Sequence, residues 1–157
     1  MPWTANNLSE TELAYMAGII DGEGSICIFP YYGSYYKGTK YLRYKPALCV
    51  ANTSEELIAW IALRFGGKCQ VVKRRSPKYK QCFHWLVSHR HAAEIIHLIL
   101  PFLVIKRRQA ELFIAFQRTA TRGLPGAKSA DVIKLRQDIS LEMKSLNRRG
   151  PPDAVAS

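Results

Sequence analysis

The stretch of this chain best equipped for chemistry is Asp21-Gly22-Glu23-Gly24, which ends a run of apolar, helix-forming residues. Two carboxylates at a helix C-terminus face the negative end of the helix dipole, against what stability prefers, so a positive charge is expected beside them. Glycines on both sides of Glu23 let the chain turn sharply and leave backbone carbonyls open. Carboxylate and carbonyl oxygens together are what a hard divalent cation such as Mg²⁺ takes up. Taken alone, the same tetrapeptide also suits an ordinary helix-ending turn. The remaining reactive residue types point away from metal chemistry. Cys27, Cys49, Cys69 and Cys82 contain no C-x-x-C pair and sit in apolar or alternating segments, so they read as reduced thiols buried as small hydrophobes. His84, His89, His91 and His97 lack Cys partners at finger spacing and read as surface, packing or phosphate-contact residues.

The elements that must hold these residues follow from caps and periodicity. Ser9-Glu10-Thr11-Glu12 is a capping box that opens a helix running through Leu13 to Ile20. That helix is apolar nearly all round, so it is expected to be buried on two sides, with Ala14, Ala17 and Gly18 small enough to admit another backbone. Residues 25–32 and 40–51 read as a hairpin turning around Gly33 and Gly38, and Thr53 to Glu56 as a second capping box before an amphipathic helix that stops at Gly66-Gly67. Residues 68–75 and 79–88 read as another hairpin, 91–100 and 105–118 as helices. After the loop Gly123-Leu124-Pro125-Gly126, a last helix carries Val132, Leu135, Ile139, Met143 and Leu146. The order α-β-β-α-β-β-α-α-α predicts an α+β fold: one four-stranded antiparallel sheet with helices on one face and an extra C-terminal helix. Residues 1–149 are expected to form a single domain, with 150–157 a flexible tail.

At 157 residues the chain suits one well-packed domain and excludes a large multidomain enzyme. Its 48% hydrophobic and 22% charged content excludes disorder and collagen-like repeats. No apolar run is long enough to span a membrane, and Met1-Pro2-Trp3-Thr4 lacks the plan of a signal peptide, so an intracellular protein with no membrane partner is expected.

The charge is more telling. Lys and Arg number 23 against 12 Asp and Glu, a net +11, which suits a polyanionic partner. The basic residues are spread over 37–45, 73–80, 106–108 and 118–149, which favours nucleic acid over a membrane surface. Alternation sets Ser25, Cys27, Phe29 and Tyr31 on one strand face, with Arg43 and Lys45 on the next strand. With Tyr35, Lys37, Lys73, Arg75, Lys78 and Lys80 they make the candidate DNA contacts. Strands of about ten residues span roughly 33 Å, close to one turn of duplex. The competing reading is two hairpins with solubilising charged edges.

Taken together, Leu13-Ala14-Tyr15-Met16-Ala17-Gly18-Ile19-Ile20-Asp21-Gly22-Glu23-Gly24-Ser25 resembles the motif of the LAGLIDADG homing endonucleases. The segments 50–57, 65–68 and 100–110 look like later landmarks of that family in the right order, so the resemblance covers residues 8–120. There is one motif copy, which in this family implies a homodimer with a saddle-shaped sheet in each half. The resemblance puts Leu13, Ala14, Ala17, Gly18 and Asp21 at the paired helices and both Glu23 carboxylates at one site on the twofold axis. It assigns Glu23, assisted by the Gly22 carbonyl, to Mg²⁺ or Mn²⁺, with Ca²⁺ as a non-catalytic substitute. Lys106 falls at the family's catalytic-site lysine and Asn52 at a polar residue that positions solvent.

The implied activity is a metal-dependent double-strand break with 3′ overhangs at a long pseudo-palindromic DNA site. The enzyme would be intron-encoded and housed with its intron, in a plastid, a mitochondrion or a prokaryotic cytoplasm. One departure matters: where some relatives carry an Arg after the Asn52 position, this chain has Ser54, Glu55 and Glu56, so no second basic catalytic residue is assigned, and Lys73 and Arg75 are the bases that could reach the site from the third strand. Two other readings share the fold: a maturase that binds intron RNA, and a DNA-binding regulator that does not cut.

Overall fold

In the computed structural model, which describes residues 3–36, 38–120 and 128–148, helix α1 (Glu10–Glu23) starts where the capping box places it. Ser9 Oγ accepts from the Glu12 N–H at 3.2 Å, and the Glu12 carboxylate accepts from the Ser9 N–H at 2.9 Å. Glu12 also pairs with Arg64 near the end of helix α2 (Glu55–Phe65). Arg64 in turn donates to the Asn7 carbonyl at 2.7 Å, so the start of α1 is fixed to the end of α2. That guanidinium, with the capping bonds, holds the Glu12 carboxyl down at about 2.

Strands β1 (Gly24–Tyr36), β2 (Thr39–Asn52), β3 (Lys68–Val72) and β4 (Cys82–Ser88) form one antiparallel sheet in the order β1-β2-β4-β3. Helices α3 (His89–Ile99), α4 (Arg107–Arg118) and α5 (Ala130–Leu146) complete the expected α+β succession. Alternation divides the sheet. Ile26, Ile28, Leu48, Val50, Trp85 and Val87 are buried together with Met16 and Ile20 of α1, Ile61 and Phe65 of α2, Ile96 of α3 and Phe113 of α4. Burying side chains of this size stabilises by about 1.5–3 kcal/mol each, so this layer fixes α1 against the sheet. Gly67 permits the tight α2–β3 connection: its φ is 97°, and a Cβ there would lie 2.6 Å from Val87 Cγ1. Helix α5 packs beside β1, where Asn147 Nδ2 donates to the Ile26 carbonyl at 2.8 Å.

Several boundaries depart from the sequence-based expectation. β1 and β2 are longer than expected, while β3 and β4 are shorter and leave residues 73–81 as a connecting loop. Continuing the ladder past Val72 and Cys82 would set Arg74 opposite Lys80, a like-charge pair that destabilises a sheet. Gln81 ends the pairing instead, its Nε2 donating to the Val72 carbonyl at 2.7 Å. Helix α2 is capped by Ser54, not Thr53, because Asn52 Oδ1 takes the Ser54 N–H at 2.8 Å and Ser54 Oγ takes the Leu57 N–H at 3.2 Å. None of the cysteines lies in the core; they ride on strands, with Cys27, Cys49 and Cys82 half-buried and Cys69 exposed. The expected Gly123 to Gly126 loop and the 150–157 tail lie outside the described residues.

Candidate functional site

Glu23 is the last residue of α1, and the N–H of its cap, Gly24, closes the helix on the Ile19 and Ile20 carbonyls. The next strand begins at once. A Cβ on Gly24 would sit 2.7 Å from the Ile20 Cα, so a glycine is needed where the strand leaves the helix so tightly. The Glu23 carboxylate is exposed and has no hydrogen bond or ion pair among the described residues. In a chain of net charge +11, an acid left without a cation is a free ligand.

Asp21 behaves differently. Its carboxylate accepts the backbone N–H groups of Val104 at 2.8 Å, Ile105 at 3.2 Å and Lys106 at 2.9 Å, just ahead of the N-terminus of α4. The acid that faced the unfavourable end of one helix dipole therefore lies at the favourable end of another. Lys106 completes the exchange: its Nζ donates to the Ile20 carbonyl at 2.6 Å and the Asp21 carbonyl at 2.9 Å. This is the positive charge that the end of α1 called for. It leaves an ammonium held half-buried one turn from Glu23.

Replacing Asp21 by Ala strands three N–H donors and frees Lys106. Hydrogen bonds to a charged acceptor contribute about 1.5–3 kcal/mol, less where exposed, so the expected loss is about 2–3 kcal/mol. Thermal unfolding should then fall by about 5–10 °C for a domain of this size. An unchanged midpoint would mean that the 104–106 turn holds itself.

Asn52 ends β2 opposite Phe83, at the same end of the sheet as Gly24, which pairs with Val50. Its Oδ1 accepts the Ser54 N–H at the α2 cap, which leaves the amide nitrogen and the second lone pair of that oxygen for solvent. Ser25, Cys27, Phe29 and Tyr31 do share a face with Arg43 and Lys45, since Phe29 pairs with Lys45 and Tyr31 with Arg43. This face is open: Phe29 is 47% and Tyr31 45% exposed. The sequence reading missed its continuation over Cys49, Ala51, His84 and Gln70, which the ladders place on the same side. Lys73, Arg75, Lys78 and Lys80 are exposed in the 73–81 loop and not on strands, so neither Lys73 nor Arg75 belongs to the third strand. Tyr35 pairs with Lys40 beyond an irregularity in the β1–β2 ladder, and Lys37 lies outside the described residues.

The outer side of α1 is also open. Ala14, Gly18 and Gly22 recur every four residues and are exposed, and nothing lies within 4 Å of a Cβ built on either glycine. Each costs the helix about 1 kcal/mol relative to Ala, and packing within the subunit demands neither. Ala17, expected on this side, is fully buried in the subunit's own core, and Leu13 is half-buried against it. Asp21 is taken up by the 104–106 turn, not by a facing helix. Large exposed apolar residues flank the stripe and were not singled out by the sequence: Tyr15 is 55%, Val104 83% and Ile105 71% exposed. Tyr15 also borders, with Leu57 and Trp60, an open cavity of 330 Å³.

A hard divalent cation takes six or more oxygen ligands. Among the described residues no three His, Cys, Asp or Glu gather around one point. The exposed Glu23 and its glycine-flanked carbonyls have the right donor chemistry for part of such a shell. No helix among the described residues is long and apolar enough to cross a membrane.

No family model matches the chain, and no curated protein does. Solved structures do match. The homing endonuclease I-CvuI, crystallised with DNA in the presence of Mg, is similar with a TM-score of 0.70 at 20% identity, over 92% of this chain and 87% of that one. The archaeal intron-encoded homing endonuclease I-Vdi141I, complexed with DNA, gives 0.72 at 17% identity, over 92% and 89%. The LAGLIDADG meganuclease I-CpaMI, bound to uncleaved DNA, gives 0.55 at 17% identity, over 88% of this chain but only 51% of its own. The fold is therefore that of the LAGLIDADG homing endonucleases.

Proposed function

We propose that this chain is one half of a homodimeric, intron-encoded homing endonuclease that cuts duplex DNA with the help of a divalent cation. The observation that carries this reading is the free Glu23 carboxylate beside the clamped Lys106, at the rim of an open sheet face lined with Phe29, Tyr31, Arg43 and Lys45. A pure binding protein gains nothing from an unpaired acid aimed at phosphates, which repel it.

The residues divide the work. Arg43 and Lys45, with the exposed bases of the 73–81 loop, meet phosphates, while Phe29 and Tyr31 offer apolar contact to base edges. Glu23 and the Gly22 carbonyl would hold the cation, which when bound polarises the scissile phosphate and acidifies the attacking water. Lys106, kept in place by the Ile20 and Asp21 carbonyls, sets a positive charge where the phosphate gains negative charge. Replacing it by Met is expected to slow cleavage by about 10²–10³-fold while DNA affinity changes little. Equal loss of affinity and rate would make it a simple phosphate contact.

A second copy supplies the missing half of the site. Small residues on the outer side of α1 let another α1 approach, and Tyr15, Val104 and Ile105 lose their exposure to it. The match to only about half of I-CpaMI supports one copy of a unit that the longer protein has room for twice.

Selection of bound duplexes from a randomised library tests the binding half of this reading. A pseudo-palindromic consensus is expected from a twofold dimer. Affinity should drop by about 10³-fold between 50 and 200 mM salt, as contact with some six phosphates requires. A flat salt response would overturn the basic-sheet interface, and enrichment of intron RNA over DNA would point to the splicing role instead.

A further inference from the structure

We propose that the two subunits clasp each other by a crossed contact: Val104 and Ile105 of each enter the partner's groove between α1 and α2, and Arg107 pairs with the partner's Glu56. The contact rests on the twofold pairing of α1 proposed above and lies to either side of it. Three residues turn a helix to about 60° short of a full circle, so Tyr15 and Asp21 lie on opposite flanks of Gly18, in the middle of the exposed stripe. The Tyr15 flank carries α2. There the Tyr15 and Trp60 rings meet edge to face with centroids 5.0 Å apart, and with Ser54, Glu56 and Leu57 they border the 330 Å³ cavity. The Asp21 flank carries the 104–106 turn, from which Val104 and Ile105 stand out into solvent. Each subunit thus has an apolar protrusion on one flank and a groove on the other.

Symmetry joins the two. Bringing both Glu23 carboxylates to one site sets the α1 helices side by side in the same direction, with the twofold axis between them along their length. Such an axis places the left flank of one helix opposite the right flank of the other, so each protrusion faces a groove and not a second protrusion. Charge agrees with this pairing. Arg107 directly follows the protrusion, is exposed, and donates only to the Pro101 and Leu103 carbonyls, at 3.4 and 3.2 Å, among the described residues. Glu56, on the rim of the groove, is exposed and has no hydrogen bond or ion pair among them. Ala59 and Leu63, the latter 80% exposed, continue the side of α2 that bears Glu56 and Trp60, and of these four residues Glu56 alone is charged. A lone acid on an apolar wall suits a guanidinium. The contact also bears on the site. The 104–106 turn carries the N–H groups that hold Asp21 and the ammonium of Lys106, so seating its apolar side chains in the partner steadies that lysine. Each half of the site then depends on the opposite subunit.

The test compares the full-length wild type, Arg107→Glu, Glu56→Arg and an equal mixture of the two variants by sedimentation. Each variant alone is expected to dimerise at least about tenfold more weakly, because two attractive pairs become two repulsive ones. The mixture should return to within about threefold of the wild type, since a heterodimer has one native and one exchanged pair. A cross-link needs no charge reversal: in Arg107→Lys, a carbodiimide should join Glu56 of one chain to position 107 of another, read as mixed-isotope peptides from chains of light and heavy nitrogen. Amide exchange at Val104, Ile105 and Lys106 in the wild type should be about tenfold slower above the dimer's dissociation constant than below it. Variants that dimerise as the wild type does, a mixture no stronger than its components, a cross-link confined to single chains, or exchange independent of concentration would overturn the crossed contact and leave a dimer in place. A wild type that sediments as a monomer would overturn the twofold reading itself.

Discussion

Replacing Glu23 by Gln is expected to abolish cleavage, by about 10³-fold or more, while leaving DNA affinity unchanged or improved. The carboxylate is exposed and has no hydrogen bond or ion pair among the described residues, so its loss removes a ligand and a phosphate-repelling charge without leaving an unpaired group among them. Three orders of magnitude correspond to about 4 kcal/mol of transition-state stabilisation, within what a positioned cation contributes. Single-turnover cleavage and gel-shift titration on one duplex separate the two quantities. Loss of folding or of binding would make Glu23 a structural acid and remove the basis for a cation site at the end of α1.

Gly18→Leu is the second large effect. A Cβ at this position meets nothing within 4 Å, and leaving Gly for Leu favours the helix by about 0.8 kcal/mol, so the subunit should remain folded. A bulky side chain on the outer side of α1 is instead expected to drive two helices apart. Sedimentation should show monomers, and cleavage at submicromolar protein should drop at least about 100-fold, since one chain supplies only part of the cation shell. A variant that still sediments as a dimer would place the contact elsewhere. A wild type that sediments as a monomer would contradict the dimer outright. Ala17 is unsuitable for this test, because it is fully buried and a larger residue there would overpack the subunit's own core.

That distinction between Ala17 and Gly18 shows where sequence reasoning stops. Helix α1 is apolar on both sides, so periodicity cannot tell which residues face the sheet; the three-dimensional core does, by taking Met16, Ala17, Ile19 and Ile20. Local signals carried further. The Ser9 capping box and the alternation that joins Phe29 to Lys45 and Tyr31 to Arg43 depend on neighbours a few residues away or on strict two-residue periodicity, and both appear as expected.

The Asp21 clamp could not be read in the same way. Its donors lie 83 to 85 residues further along the chain, and nothing in the type of an acid says which N–H groups it will meet. What the sequence did hold was the imbalance at the end of α1, and Lys106 is the residue that corrects it. The 73–81 loop failed for a related reason. Strand propensity is read along one chain, whereas the repulsion of Arg74 and Lys80 exists only across a ladder.

Sequencing of cut ends tests the central claim most directly: purified protein is incubated with a randomised duplex library in Mg²⁺, beside the Glu23→Gln variant and a chelator control. The account predicts staggered ends at a pseudo-palindromic consensus from the wild type with Mg²⁺, and from neither control. Enrichment of bound duplexes with no cut ends, or equal cutting by Glu23→Gln, would contradict it.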